Sequence, residues 1–278
     1  MANAKARFFW DNWADEAVLA CSSYAAGFPP VMLQDLDPSK LCKSATPDIL
    51  TVTGSWGSTY FCNCLVVHNH NLSVWGKIKL TTDQGHSWEW DAWEPIYPFG
   101  YGYLGMGPVG GYPSARDMQS IGARPSRFCY FEPAGFKSFT LELSEPNQPG
   151  TYPGFGRMFL GPAFETSRNF NRNHGLGAGD PSEDEKLPNG GRRHRVHPAL
   201  WRASIEIAQI PKDEAFSVHL PAQWRHGSHL PFFVDLFPDG SGMERLQGQR
   251  YAVNLSKGIT GFQALQSGWV AMDLEEYR

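Results

Sequence analysis

Alternation of apolar and polar positions sets the reading of this chain. In ILTVTGSW, residues 49–56, Leu50 and Val52 fall on one side and Thr51 and Thr53 on the other, which predicts a strand ending in a turn at Gly54. The apolar run FCNCLVV then leads into the polar HNHN, and VWGKIKL follows with Val74, Ile78 and Leu80 on one face and Trp75, Lys77 and Lys79 on the other. Two strands joined by a polar turn fit this pattern. In FCYFEPAGFKSFTLELSE, Phe139, Leu141 and Leu143 alternate with Ser138, Thr140 and Glu142, predicting a half-buried strand, and GFGRMFLGPAF predicts one more.

The second half repeats the period-2 pattern after an irregular stretch. Arg168 to His197 is polar, with an acidic part holding Asp180, Glu183, Asp184 and Glu185 and a basic part GGRRHR, and is expected to be an extended arm. WRASIEIAQI alternates Trp201, Ala203, Ile205 and Ile207 inward. PKDEAFSVHL has Pro at a first helical position and acids in its first turn, predicting a short helix whose length Pro221 puts in question. HLPFFVDLFPDGSG predicts a buried strand with an Asp-Gly turn, and GWVAMDLEEYR a closing strand. The expected fold is therefore all-β with minor helix: a β-sandwich over residues 1–165, an arm over 166–198, and a smaller β-rich domain with one short helix over 199–278.

Composition supports that class. The chain has 278 residues, with 29 Gly, 21 Pro and 14% aromatic side chains, which suits short strands and many turns. A formal charge of -4 offers no overall attraction to phosphate backbones, so no nucleic-acid partner is expected. No run approaches the roughly 20 apolar residues that cross a bilayer, and the N-terminus lacks a signal-peptide core, so membrane insertion is not expected and folding in a cytoplasm is. The five cysteines, Cys21, Cys42, Cys62, Cys64 and Cys129, are odd in number and widely spaced, which argues for buried thiols over a disulfide framework.

Candidate chemistry is sparse. The chain contains no H-E-x-x-H, P-loop or nucleophile elbow. GYGYLG, residues 100–105, formally matches G-x-G-x-x-G, but a glycine-proline stretch follows it where a dinucleotide site needs a helix. Cys62 and Cys64, two apart on a strand, are expected on one face, without a second pair to complete a metal site. His68 with His70, and His226 with His229, lack a matching acid or cysteine, and turn hydrogen bonding by His68 and Asn69 to Asn71 is the preferred reading. Glu89 and Asp91 stand side by side on one strand face, leaving no carboxylate across a cleft for glycoside hydrolysis. No catalytic residue, metal or cofactor is assigned.

The sharpest feature is aromatic. SWEWDAW spaces Trp88, Trp90 and Trp93 just before a Gly- and Tyr-rich stretch from Pro95 to Pro125 that holds Tyr97, Tyr101, Tyr103 and Tyr112. Aromatic faces stack on sugar rings, which makes Trp88, Trp90, Trp93, Tyr101 and Tyr103 candidate sugar-binding residues. The same residue types are enriched at subunit interfaces, and that reading is preferred.

Taken together, ARFFWDNWADEAVLACSS, FPPVMLQDL, LVVHNHNLSVWGKIKL, GRMFLGPAFETSRNFNRNHGLG, the GG before RRHR, LPFFVDLFPDG and WVAMDLEE resemble tail-tip proteins of long-tailed bacteriophages. The resemblance runs over nearly the whole chain and rests on pattern and order. It implies a galactose-binding-like jelly roll and a non-enzymatic structural role in the virion, as a distal tail or upper baseplate component made in the host cytoplasm. On that basis the chain is expected to form a ring of three or six copies and to join the tube and hub to receptor-binding proteins and other tail and baseplate partners during entry. Phe8, Phe9, Trp10, Trp13, Arg192, Arg193 and Arg195 are the expected interface residues, the arginines facing an acidic neighbour. The alternative is a carbohydrate-binding module recognising a host-surface glycan.

Overall fold

The chain begins with a strand whose two adjacent phenylalanines point to opposite faces of a sheet, and that alternation ties the whole molecule together. The computed structural model describes residues 5–96, 111–113, 118, 123–147, 150–171, 174–179, 182–186, 192–195, 199–255, 259–264 and 267–278. The first part holds β1 (Arg7–Phe9), β2 (Val18–Cys21), β3 (Cys42–Lys43), β4 (Ile49–His68), β5 (Lys77–Thr82), β6 (Ser87–Asp91), β7 (Ser126–Ser144), β8 (Gly154–Phe155), β9 (Arg157–Gly161) and β10 (Phe164–Glu165). Then come β11 (Gly175–Gly179), β12 (Glu183–Lys186), β13 (Arg192–Arg195), β14 (Leu200–Pro211), β15 (Phe232–Asp235), β16 (Gln249–Asn254), β17 (Ile259–Ala264) and β18 (Ser267–Glu276). The expected class stands: antiparallel β-sandwich architecture with little helix.

One sheet runs β2-β4-β7-β5-β6, with β9 also paired to β4. Its spine is the long β4–β7 pair. Leu50 and Val52 from the first limb of β4, and Leu65 and Val67 from the second, enter one hydrophobic core with Ile78, Leu80, Leu141 and Leu143. The turn expected at Gly54 is absent. The strand runs on because Gly54 is a close-approach position: a Cβ there would lie 2.3 Å from Phe139 Cζ. The break in pairing comes later, between Ser55 and Tyr60 and again between Cys62 and Cys64, opposite the Pro133 region of β7. That second irregularity overturns the expectation that Cys62 and Cys64 share a face. Cys62 enters the first core, whereas Cys64 joins a separate cluster with Phe9, Val66, Phe128, Phe159, Phe233 and Tyr251.

That cluster is the seam between the two sheets. The second sheet runs β10-β1-β15-β16-β18-β14-β11, with β17 paired to β18, so strands from all three expected ranges, 1–165, 166–198 and 199–278, meet in it. In β1, Phe9 enters the seam cluster and Phe8 the core on the sheet's far side, with Trp201, Ile205, Ile207, Phe232 and Met272. Residues 64–68 are buried throughout because the second limb of β4 has a core on each face, which explains the unbroken apolar run in its sequence.

The helix expected after β14 is present as α1, made of Lys212–Glu214, a π-turn over Ala215–His219 and Leu220–His226. It passes Pro221, which has no N–H to donate, by widening immediately before it. A second short helix, α2 (Met243–Gly248), lies between β15 and β16. Within the expected arm, β11 joins the second sheet and β12 pairs with β13 as a separate hairpin.

Candidate functional site

The N-terminal aromatics pack inside the chain. Phe8 and Phe9 are 0% and 1% exposed, so a partner would reach neither in this fold. Trp10 stacks on Phe8 at 5.1 Å and on Phe164 at 5.7 Å, and Trp13 lies 4.8 Å from Tyr60 while its carbonyl accepts the Trp56 indole N–H at 2.7 Å. Arg192, Arg193 and Arg195 sit on β13 opposite Lys186, Glu185 and Glu183, so acids stand across from Arg193 and Arg195 within the same hairpin. Arg193 is exposed.

The three tryptophans all pack against the first core, and one of them also reaches a cavity. Trp88 and Trp90 lie opposite Leu80 and Ile78 in the β5–β6 register, on the core side of the sheet. Both are half-buried, with ring centroids 4.4 and 6.1 Å from Phe131. Trp93 lies beyond the end of β6, donates its indole N–H to the Leu72 carbonyl at 2.8 Å, and meets the His70 ring edge-on at 5.2 Å. Tyr97, Tyr101 and Tyr103 lie outside the described residues. Glu89 and Asp91 are exposed on the edge strand, with Asp91 paired to Lys77 at 2.5 Å.

Trp93 also lines a cavity of about 380 Å³ at the seam, within the roughly 300–1,000 Å³ of small-ligand pockets. One wall comes from the segment after β6 and the start of β7, with Trp93, Glu94, Pro95, Ile96, Ser126 and Arg127. The other comes from the turn after β15, from α2 and from β16, with Gly240 to Gly242, Arg245, Leu246 and Gln249. Glu94 joins the walls: its carboxylate pairs with the Arg127 guanidinium from one side and with Arg245 Nη1 at 2.7 Å from the other. Arg127 Nε is further held by the Asp91 carbonyl at 2.9 Å, and the Gln249 amide donates to buried Asp235 at 2.8 Å. Gly242 is required here, since its φ is 62° and a Cβ would lie 2.3 Å from the Ile96 carbonyl oxygen.

A second cavity, of about 230 Å³, lies farther along the seam among Phe9, Trp10, Phe159, Phe233 and Tyr251. Its polar lining includes Asn12, His226 and Asp15, the last bound by Arg157 through two bonds of 2.6 Å. Burial raises the Asp15 carboxyl above its ordinary range even beside that guanidinium.

The histidine pairs do not assemble a metal site. Among the described residues no group of three or more His, Cys, Asp or Glu is placed to hold an ion. His68 and His70 are buried at the turn after β4, where Asn69 donates to the Pro38 carbonyl at 2.7 Å and Asn71 to that of Tyr152 at 3.0 Å. All five cysteines are free thiols.

No protein-family model matches the chain, and no curated protein matches it. Among solved structures it is similar to the lectin domain of lectinolysin complexed with Lewis B antigen, at 12% identity and a TM-score of 0.37, over 56% of this chain and 98% of that one. It is also similar to chitosan-binding module 1 of a chitosanase/glucanase from Paenibacillus sp. IK-5, at 16% identity and a TM-score of 0.35, over 54% of this chain and 98% of that one. A third match, SpGH29, has 10% identity and a TM-score of 0.37, covering 55% of this chain and 28% of that one.

Proposed function

We propose that the chain is a non-catalytic binding protein that recognises a carbohydrate in the seam cavity at Trp93. The observation that carries this reading is the composition of the lining: one indole and several apolar side chains beside the polar groups of Glu94, Ser126, Arg127, Arg245 and Gln249. A sugar ring needs both, a flat apolar surface for its C–H face and fixed donors and acceptors for its hydroxyls. Hydrolysis of a glycosidic bond takes two carboxylates, and among the described residues this lining holds one, already engaged by two guanidinium groups. The test is a glycan array probed with the purified chain, with Trp93→Ala and with Trp75→Ala, the last replacing a tryptophan that is 57% exposed elsewhere. Binding lost only in the Trp93 variant, with its melting transition retained, supports the reading. No glycan bound by the unmodified chain refutes it.

A second reading, the structural subunit of a phage tail tip implied by the sequence resemblance, is favoured by large apolar side chains left outside. Phe61 is 71% exposed, and Trp224 and Phe216 on α1 are 79% and 47% exposed, as suits a subunit that covers them with neighbours in a ring. Light scattering followed by negative-stain imaging tests it: trimers, hexamers or rings support assembly, and a monomer at all concentrations removes it. A tail-tip subunit that also binds a host glycan satisfies both readings.

A further inference from the structure

We infer that the seam cavity takes a sugar carrying an anionic substituent, a uronate carboxylate or a sulfate ester, over a neutral one. This rests on the carbohydrate-binding reading and names the class of ligand. Among the described residues, the lining places two guanidinium groups, Arg127 and Arg245, against one carboxylate, that of Glu94. Guanidinium stays charged at any working pH, so among the described lining residues positive charges exceed negative ones by one, with buried Asp235 behind Gln249 the further carboxylate that acts on Arg245. Both arginines are withdrawn from water, with side chains 12% and 23% exposed, so a bound anion meets charge that solvent screens poorly. Glu94 is 33% exposed, more than either arginine.

Access points the same way. The Arg245 side chain keeps 23% of its surface exposed and lines the cavity, so an anionic oxygen can meet its guanidinium there. The chain carries a formal charge of -4, so the positive balance in this cavity runs against that of the molecule.

The experiment is a glycan array of neutral, uronate-bearing and sulfated glycans at low and high salt, probed with the unmodified chain, Arg245→Gln and Glu94→Gln. The expected result is an acidic bound set weakened by salt, with the uronate or sulfate arm identifying which anion is used. Arg245→Gln lowers that binding about tenfold, the scale of one charge-assisted hydrogen bond. Glu94→Gln raises it, because the competing carboxylate is gone; a variant that gains binding cannot be one that has failed to fold. Neutral glycans bound as tightly as acidic ones, with Arg245→Gln unchanged, overturn this inference and leave the carbohydrate reading standing. No glycan of either kind bound by the unmodified chain overturns the carbohydrate reading and this inference with it.

Discussion

Mild acid should destabilise this protein through two histidines. His68 and His70 are 5% and 3% exposed, and each is pulled down to about 3 from an ordinary value of 6.5, first by burial and then by neighbouring cations. For His68 those cations are Arg124, His70, Arg250 and Arg157, and for His70 the cation is Arg127. The His68 ring is further enclosed by Phe233 and Tyr251, both at 5.5 Å, and its Nδ1 pairs with Ser126 Oγ at 2.5 Å. Because the folded values are depressed, the unfolded chain binds more protons below pH 6.5, and stability present at neutral pH is lost as pH falls through the window from 6.5 to about 3. Between pH 7 and 5 the loss is about 2 kcal/mol per ring, or about 4 kcal/mol for the pair. Asp15 and Asp235, which burial raises, work in the opposite direction and offset part of this in the lower half of the window. The measurement is therefore a difference: urea unfolding at pH 7, 6 and 5 for the unmodified chain and for a His68→Gln/His70→Phe variant. The unmodified chain should lose several kcal/mol more than the variant on going from pH 7 to 5. Equal pH dependence in the two would refute the reasoning.

Both ring nitrogens of His70 lack a partner among the described residues, so His70→Phe alone should raise stability at pH 7 by about 1 kcal/mol in the same titration. Gly54→Ala should cost about 1–3 kcal/mol, because the new methyl meets the Phe139 ring, and urea midpoints would show it. Asp15→Asn strands the buried Arg157 guanidinium and should lower stability by about 3 kcal/mol; an unchanged midpoint would mean the pair contributes nothing to the seam. The Cys21 thiol is drawn down to about 7, chiefly by its hydrogen bond with Cys42, whereas burial pushes Cys62 and Cys129 up to about 12. Iodoacetamide at pH 7 should therefore modify Cys21 first and reach the other two only after denaturation, as peptide mass mapping would show.

The fold was legible where one physical rule acted alone. Period-2 alternation located β5, the second limb of β7 and β14, since each has one face on a core, and the acidic first turn of PKDEAF located α1. Gly54 was misread as a turn because a glycine in an apolar strand has two explanations, a bend or a close neighbour, and only the position of Phe139 decides between them. Cys62 and Cys64 were misread because their shared face assumes an unbroken pleat, and the irregularity opposite Pro133 breaks it.

The site was half legible for a related reason. Trp88, Trp90 and Trp93 form one conspicuous cluster in sequence, yet the alternation that predicts strands also separates them. Trp88 and Trp90 share the parity that places them opposite Leu80 and Ile78, and so they belong to the core. Trp93 packs against the same core, but it has the opposite parity and falls after the last strand residue, and it also lines the cavity. Its polar partners carry no such signal. Glu94, Arg127 and Arg245 are distributed along the chain, and they meet only because β1 carries the N-terminus into the second sheet and the seam cluster then holds the sheets together. A charged network built across a seam leaves no spacing in the sequence to find. If the seam is what makes the site, then loosening it at Phe9, which does not itself line the cavity, should weaken ligand binding as well as stability, whereas an equally destabilising change in the first core, such as Leu141→Ala, should weaken stability alone.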